Sequence, residues 1–65
     1  MGIIMKKVIA FGAGGLFRAF SPFIKSNYQL VAVSDNDIKQ HGKLNDGVRI
    51  ISPSDIIYLN FELII

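Results

Sequence analysis

The sequence predicts an α/β fold: a parallel sheet of about four strands, in the order 3-2-1-4, with two helices. Three observations lead to this prediction. Short apolar runs recur at residues 6–11, 30–33 and 48–51, and they are too apolar for strands with one face in water. A glycine-rich turn and a helical pattern follow the first run, and a helix-start signal follows the third. Strands that alternate with helical patterns favour right-handed crossovers and a parallel sheet.

The chain has 65 residues, which predicts a single, incomplete module over residues 1–65. A domain of this size buries only about 60% of its unfolded surface. There is no cysteine and only one histidine, while 51% of the residues are apolar. Disulfides and metal sites are therefore not expected to stabilise so small a core. We expect extra burial from a homo-oligomer or from the remainder of a longer polypeptide, with pairing through the sheet edge at residues 61–65.

The first helix is predicted over residues 16–27. Its expected core face carries Leu16, Phe20, Phe23 and Ile24, at i, i+4, i+7 and i+8. Phe17 also belongs to an aromatic stripe that is more typical of a core than of a stacking surface. Pro22 lies within the helix and is expected to bend it; the alternative is a helix split in two near Ser21.

The second half of the chain alternates polar and apolar segments. Residues 38–47 predict an exposed loop or one short helical turn, and Asp46-Gly47 is a strong turn signal. Ser52-Pro53-Ser54-Asp55 combines a capping residue with a proline at the first helical position. A short second helix is therefore expected through residue 59, with a fourth strand over residues 61–65.

The glycine-rich turn predicts a phosphate-binding site. Gly12 and Gly14 hold the first two positions of a G-x-G-x-x-G pattern, whereas Phe17 occupies the third. Glycine lets a phosphate approach the backbone closely. The helix that follows offers unpaired amides and a partial positive charge. This is the opening of a Rossmann-like nucleotide-binding unit.

An acidic residue at the end of the second strand completes the predicted site. Asp35 follows Gly12 by 23 residues, close to the spacing expected for a carboxylate that binds ribose hydroxyls. A carboxylate there disfavours a 2′-phosphate, so NAD fits better than NADP. The alternative is that Asp35 and Asp37 only begin a solvated turn. The predicted ligand contacts are Gly12, Ala13, Gly14, Gly15, Leu16, Asp35 and Asn36.

No catalytic or metal-binding residue is predicted. His41 lies in a polar loop without an evident acid or base partner, and a solvated role is expected for it. Arg18 could reach a phosphate or lie exposed at the surface. Ser52 and Ser54 are interpreted as helix caps.

Charge and hydropathy bear on partners and location. The net charge is +2 and the basic residues are scattered, which argues against nucleic-acid binding. No segment approaches the roughly 20 apolar residues of a membrane span. A cytoplasmic protein with a small nucleotide ligand and no membrane partner is therefore expected.

Four stretches resemble a known module: residues 7–15, 33–37, 39–43 and 47–53. They are similar to the amino-terminal Rossmann-like module of bacterial polysaccharide-biosynthesis proteins. That module occurs in nucleotide-sugar epimerase/dehydratase-like proteins and ahead of sugar acyltransferases, whose version of the turn Gly12-Ala13-Gly14-Gly15 resembles most. The resemblance implies a UDP-sugar site, with the glycine turn near the phosphates and Asp35 near the ribose or base. Phe17 departs from the family's glycine, and the family's catalytic residues mostly lie outside these stretches.

Three functions are consistent with these observations. The first is a nucleotide or nucleotide-sugar binding module of a surface-polysaccharide enzyme, with a UDP-sugar or NAD as ligand. The second is a non-catalytic module for nucleotide sensing or docking. The third is a degenerate fragment without a ligand.

Overall fold

The computed structural model describes residues 5–65. Five strands and one α-helix form the fold. In chain order they are β1 (Lys7–Phe11), α1 (Gly15–Asn27), β2 (Gln29–Ser34), β3 (Leu44–Asn45), β4 (Val48–Ile51) and β5 (Leu63–Ile64). Two short 3₁₀-helices, Ile38–Gln40 and Pro53–Tyr58, lie in the connections before β3 and after β4.

The sheet is mixed, with the strand order β3-β4-β2-β1-β5. The β1–β2, β1–β5 and β2–β4 pairs are parallel, whereas β3 and β4 are antiparallel. The prediction of a parallel four-stranded, Rossmann-like half is therefore wrong.

The additional strand results from the turn at Asp46-Gly47. Both residues have positive φ, +53° and +78°, as the two central residues of a type I′ hairpin turn do. A two-residue turn of this kind returns the chain directly alongside itself. Asn45 consequently pairs with Val48 and Leu44 with Arg49, where the sequence predicted an exposed loop or one short helical turn.

The predicted second helix is also corrected, because Pro53–Tyr58 is a 3₁₀-helix. Ser52 does cap it, since its Oγ accepts a hydrogen bond from the Ser54 amide at 3.3 Å. The bonds from Asp55 N to Ser52 O and from Leu59 N to Ile56 O span three residues rather than four. A short segment with adjacent β-branched isoleucines gains little from an α-helical continuation.

The core lies between α1 and one face of the sheet. Phe17 and Ile24 pack there with five sheet residues, and Ser21 lies on the same helix face. The sheet residues are Val8, Ala10, Val33, Val48 and Ile50.

The buried face of α1 is rotated from the predicted one. Leu16, Phe20 and Phe23 are 73%, 55% and 66% exposed, so their predicted core role is wrong. The buried residues are instead Phe17, Ser21 and Ile24, which have the same spacing one position later in the chain. The short connections to β1 and β2 determine which face meets the sheet.

The carboxyl ends of three strands meet at one edge of the sheet. The Gly12 amide donates to the Ser34 carbonyl at 2.6 Å, and the Asp35 amide donates to the Ile51 carbonyl at 3.0 Å. These bonds continue the parallel pairing past the ends of β1, β2 and β4. They bring the glycine-rich turn beside Asp35.

Candidate functional site

The peptide groups of Ala13 hold the glycine-rich turn in place. The Ala13 amide donates to Asp35 Oδ2 at 2.7 Å, and the Ala13 carbonyl accepts from Asn45 Nδ2 at 2.9 Å. Gly12 precedes them with a φ of +94°, a conformation that glycine adopts without strain. Side chains from the end of β2 and from the hairpin therefore fix the turn between β1 and α1.

Asp35 is the most highly connected residue of the site. Its second carboxylate oxygen, Oδ1, accepts from the Asp37 amide at 2.7 Å. The Ala13 amide, followed by the Asp37 amide, lowers the Asp35 pKa below its ordinary value of 3.8. His41 Nε2 lies 2.6 Å from the Asp35 carbonyl oxygen. Asp35 is thus an ionised, half-buried carboxylate whose orientation is fixed by the backbone.

The amino terminus of α1 opens beside this carboxylate. Gly14 is the N-cap, with no side-chain cap bond, and no acidic residue lies in the first turn. The Arg18 amide donates to the Gly14 carbonyl at 3.2 Å. The amides of Gly15, Leu16 and Phe17 precede that bond, and such amides are the ones an α-helix leaves without an intrahelical acceptor.

These groups surround one cavity of about 360 Å³, which we call the polar pocket. The first turn of α1 and Arg18 supply hydrogen-bond donors, which we call the donor side. Asp35 and Asp37, which follow β2, supply acceptors, which we call the acceptor side. The polar pocket is lined by Ala13, Gly14, Gly15, Arg18, Asp35, Asp37, Gln40 and Asn45.

The predicted ligand contacts are distributed unevenly around this pocket. Ala13, Gly14, Gly15 and Asp35 line it. Gly12, whose amide is bonded to the Ser34 carbonyl, and Leu16 line a different cavity. The exposed Asn36 lines neither cavity.

Sequence reasoning overlooked Gln40 and Asn45. Asn45 had a usable signal, because the Asp46-Gly47 hairpin turn places the preceding residue at a strand end. Gln40 had none in the sequence. It enters the pocket through the 3₁₀-helix that the Asp37 side chain caps by accepting from the Lys39 amide at 3.0 Å.

An apolar cavity of about 570 Å³ lies on the other side of Gly14. We call it the α1–β5 groove, because side chains of α1 form one wall and Ile65, just after β5, contributes to another. Its lining consists of Ala10, Phe11, Gly12, Gly14, Leu16, Phe17, Phe20, Phe23, Ile24, Tyr28 and Ile65.

Two further properties concern residues 5–65 only. Within this part of the chain, no group of three or more His, Cys, Asp or Glu side chains is arranged to hold a metal ion. None of its helices is long and apolar enough to cross a membrane.

Comparison with known proteins gives one match. The family model described as "C2185-like, N-terminal" matches residues 4–65. No curated protein and no solved structure matches the chain. The family match corrects the resemblance drawn from the four sequence stretches: they do not identify the nucleotide-sugar module of polysaccharide-biosynthesis proteins. Short glycine and aspartate motifs recur in unrelated settings, so they could not carry that assignment.

Proposed function

The chain belongs to the C2185-like N-terminal family, and we propose that it binds a nucleotide in the polar pocket. The observation that supports the proposal is that this one pocket combines hydrogen-bond donors with hydrogen-bond acceptors. A nucleotide offers the matching groups, because its phosphates accept hydrogen bonds and its ribose hydroxyls donate them.

The donor side suits the phosphate. A helix amino terminus carries roughly half a positive charge and unpaired amides that point toward an anion. Arg18 lines the same pocket, and a guanidinium carries a permanent charge that can bind two phosphate oxygens at once. Gly14 and Gly15 have open space where a Cβ would lie, so the backbone is accessible to the ligand.

The acceptor side suits the ribose. Each Asp35 oxygen accepts one backbone amide and keeps a lone pair for a hydroxyl. Asp37 lines the same side, so two carboxylates would repel a second phosphate there. The proposed ligand is therefore a nucleotide with free ribose hydroxyls, such as NAD or a nucleoside diphosphate, rather than NADP.

The proposal concerns binding and extends to nucleotide sensing or docking. The UDP-sugar and polysaccharide parts of the sequence-based hypothesis depended on the overturned resemblance, and we do not retain them. A cytoplasmic location forms part of the proposal, because the proposed ligands are abundant there.

Calorimetric titration of the chain with NAD, NADP, UDP, UDP-GlcNAc and CoA tests the proposal. We expect saturable heats for NAD or UDP and at least about tenfold weaker binding of NADP than of NAD, since a misplaced phosphate loses more than about 1.4 kcal/mol. Arg18→Ala should weaken the bound nucleotide. Arg49→Ala, an exposed arginine outside the polar pocket, is the matched control. If no nucleotide binds at millimolar concentration, the proposal is wrong.

A further inference from the structure

We propose that the α1–β5 groove is the interface of a symmetric dimer, in which α1 of a second copy packs against α1 of the first. This inference does not depend on nucleotide binding. It rests on the exposed stripe of α1, the shape of the groove beside it, the apolar area available and the position of the charges.

The exposed stripe consists of Leu16, Phe20 and Phe23, spaced by four and three residues. This spacing lines up one face of an α-helix over two turns. The three side chains cannot turn into the core, because Phe17, Ser21 and Ile24 already occupy the face of α1 that meets the sheet. The helix thus has a second apolar face that nothing in residues 5–65 covers.

The stripe forms one wall of the groove, because Leu16, Phe20 and Phe23 all line it. The Phe11 amide donates to the Ile65 carbonyl at 2.9 Å, so both residues lie side by side, and Phe11 and Ile65 are 52% and 47% exposed. Under a two-fold axis one surface patch meets its own copy, so the stripe of each chain can pack into the groove of the other.

The apolar area is sufficient for such a contact. An aromatic side chain carries about 150–250 Å², so the five exposed residues of stripe and groove present roughly 500 Å² in each copy. Two copies would bury roughly 1,000 Å², the lower bound expected of a specific interface. The roughly 500 Å² of one copy matches the largest apolar patch that single-chain proteins expose, and such a patch is often an interaction site.

Charge does not oppose the association. No residue that lines the groove is charged. At 3.6 residues per turn, Arg18 and Lys25 lie on roughly the opposite side of α1 from the stripe. Lys25 also forms an ion pair with Asp46, with an Nζ–Oδ2 distance of 3.3 Å. Two chains of net charge +2 can therefore meet at this face without bringing their helix cations together.

Pairing through the sheet edge fits less well than this arrangement. It would use β5, which is only two residues long, and so short a strand offers few hydrogen bonds. An apolar small molecule in the groove would also contact Leu16 and Phe20, which line it, but it would leave the chain monomeric, so measurement of the oligomeric state distinguishes it from a second copy.

Sedimentation equilibrium of the wild-type chain tests the proposal. We expect a concentration-dependent species with twice the 7.2 kDa mass of one chain. Phe23→Glu should weaken the dimer by at least about thirtyfold, as loss of a central aromatic anchor does. Ile38→Glu is the matched control, because Ile38 is 81% exposed but lies outside the groove. The dissociation constant of the Ile38→Glu dimer should equal that of the wild type.

Circular dichroism establishes whether each variant is folded. If Phe23→Glu is unfolded, the same measurement is made with Phe23→Ala. A wild-type chain that remains monomeric at about 0.5 mM overturns the proposal. So does a folded Phe23 variant that dimerises as tightly as the wild type, because another surface would then form the contact. Assemblies that keep growing beyond two copies would contradict the two-fold arrangement.

Discussion

At the scale of single residues, the Ala13 peptide organises the candidate site. Its amide and carbonyl are bonded to Asp35 and Asn45, which lie 22 and 32 residues away in sequence. Because the contacts to residue 13 use the backbone alone, a different side chain there would preserve them. The identities of Asp35 and Asn45 matter instead, since their side chains supply the other halves of the two bonds.

Asp35→Ala should weaken NAD or UDP binding by at least about tenfold, the cost of losing a charge-assisted hydrogen bond. Asp37→Ala should change the affinity for the same nucleotide by less than about threefold, because the Asp37 carboxylate already accepts a hydrogen bond from the Lys39 amide. Both affinities are measured by calorimetry at a temperature where each variant is folded. Equal losses in the two variants would contradict the assignment of Asp35 to the ribose.

Ser34→Ala should stabilise the protein. Ser34 is fully buried, and its hydroxyl has no hydrogen-bond partner among the residues the structure describes. A buried, unpaired hydroxyl costs about 1–3 kcal/mol, and replacement by Ala removes that cost with little change in volume. Urea denaturation should give a free energy of unfolding higher by about 1 kcal/mol. A lower value would mean that the hydroxyl makes a stabilising contact.

At the scale of secondary-structure elements, α1 and the β3–β4 hairpin are held together by Lys25 and Asp46. The Lys25 ammonium contacts both the carboxylate and the carbonyl of Asp46. The Ser21 hydroxyl, followed by Lys25, lowers the Asp46 pKa. Ser21 Oγ has no hydrogen-bond partner in residues 5–65, so the Lys25 ammonium is the group that contacts the Asp46 carboxylate directly. The hairpin turn that adds β3 to the sheet is thus joined to the only α-helix in that part of the chain.

Gly47→Ala tests the hairpin turn. Gly47 has a φ of +78° and open space where a Cβ would lie, so the substitution introduces backbone strain without a steric clash. We expect a loss of about 1–2 kcal/mol in the free energy of unfolding, the cost of a left-handed conformation for an L-residue. Gly15→Ala is the control, because Gly15 has equal space and no positive φ. Its substitution at the helix start should be neutral or stabilising.

The result is measured by thermal and urea denaturation of both variants. If Gly47→Ala were as stable as the wild type, residues 46–47 would not form the two-residue turn. The pairing of β3 with β4 would then have a cause other than this turn.

At the scale of the whole molecule, two lowered carboxylate pKa values connect stability to pH. Asp35 fixes the turn between β1 and α1, and Asp46 fixes the hairpin against α1. Both pKa values lie below the ordinary 3.8. A carboxylate with a lowered folded-state pKa stabilises the protein above its unfolded-state pKa, and this contribution is lost as the pH falls through the folded-state value.

Thermal denaturation between pH 7 and pH 2 checks this dependence. The Tm should be constant down to about pH 5 and fall below about pH 4. The double variant Asp35→Asn/Asp46→Asn should have a lower Tm at pH 7, and its Tm should fall less than that of the wild type below about pH 4. A wild-type Tm that rises on acidification, or an unchanged acid limb in the double variant, would contradict the role of these carboxylates.

Local sequence patterns are sufficient to predict the elements that carry strong signals. The apolar runs gave the positions of β1, β2 and β4, and the Gly12–Gly15 turn gave the start of α1. The spacing from Gly12 to Asp35 anticipated that both would meet at one edge of the sheet. These features depend on hydrophobic period, glycine geometry and chain direction, which short stretches of sequence encode.

The remaining features of the fold depend on tertiary contacts. The helical pattern of residues 16–24 contains two apolar stripes, and docking through short connections selected Phe17 and Ile24 for the core while leaving Phe20 and Phe23 exposed. The pairing of β3 with β4 made the sheet mixed and brought Asn45 to Ala13. Each of these outcomes depends on contacts between residues distant in the chain, whose relative free energies no local pattern specifies.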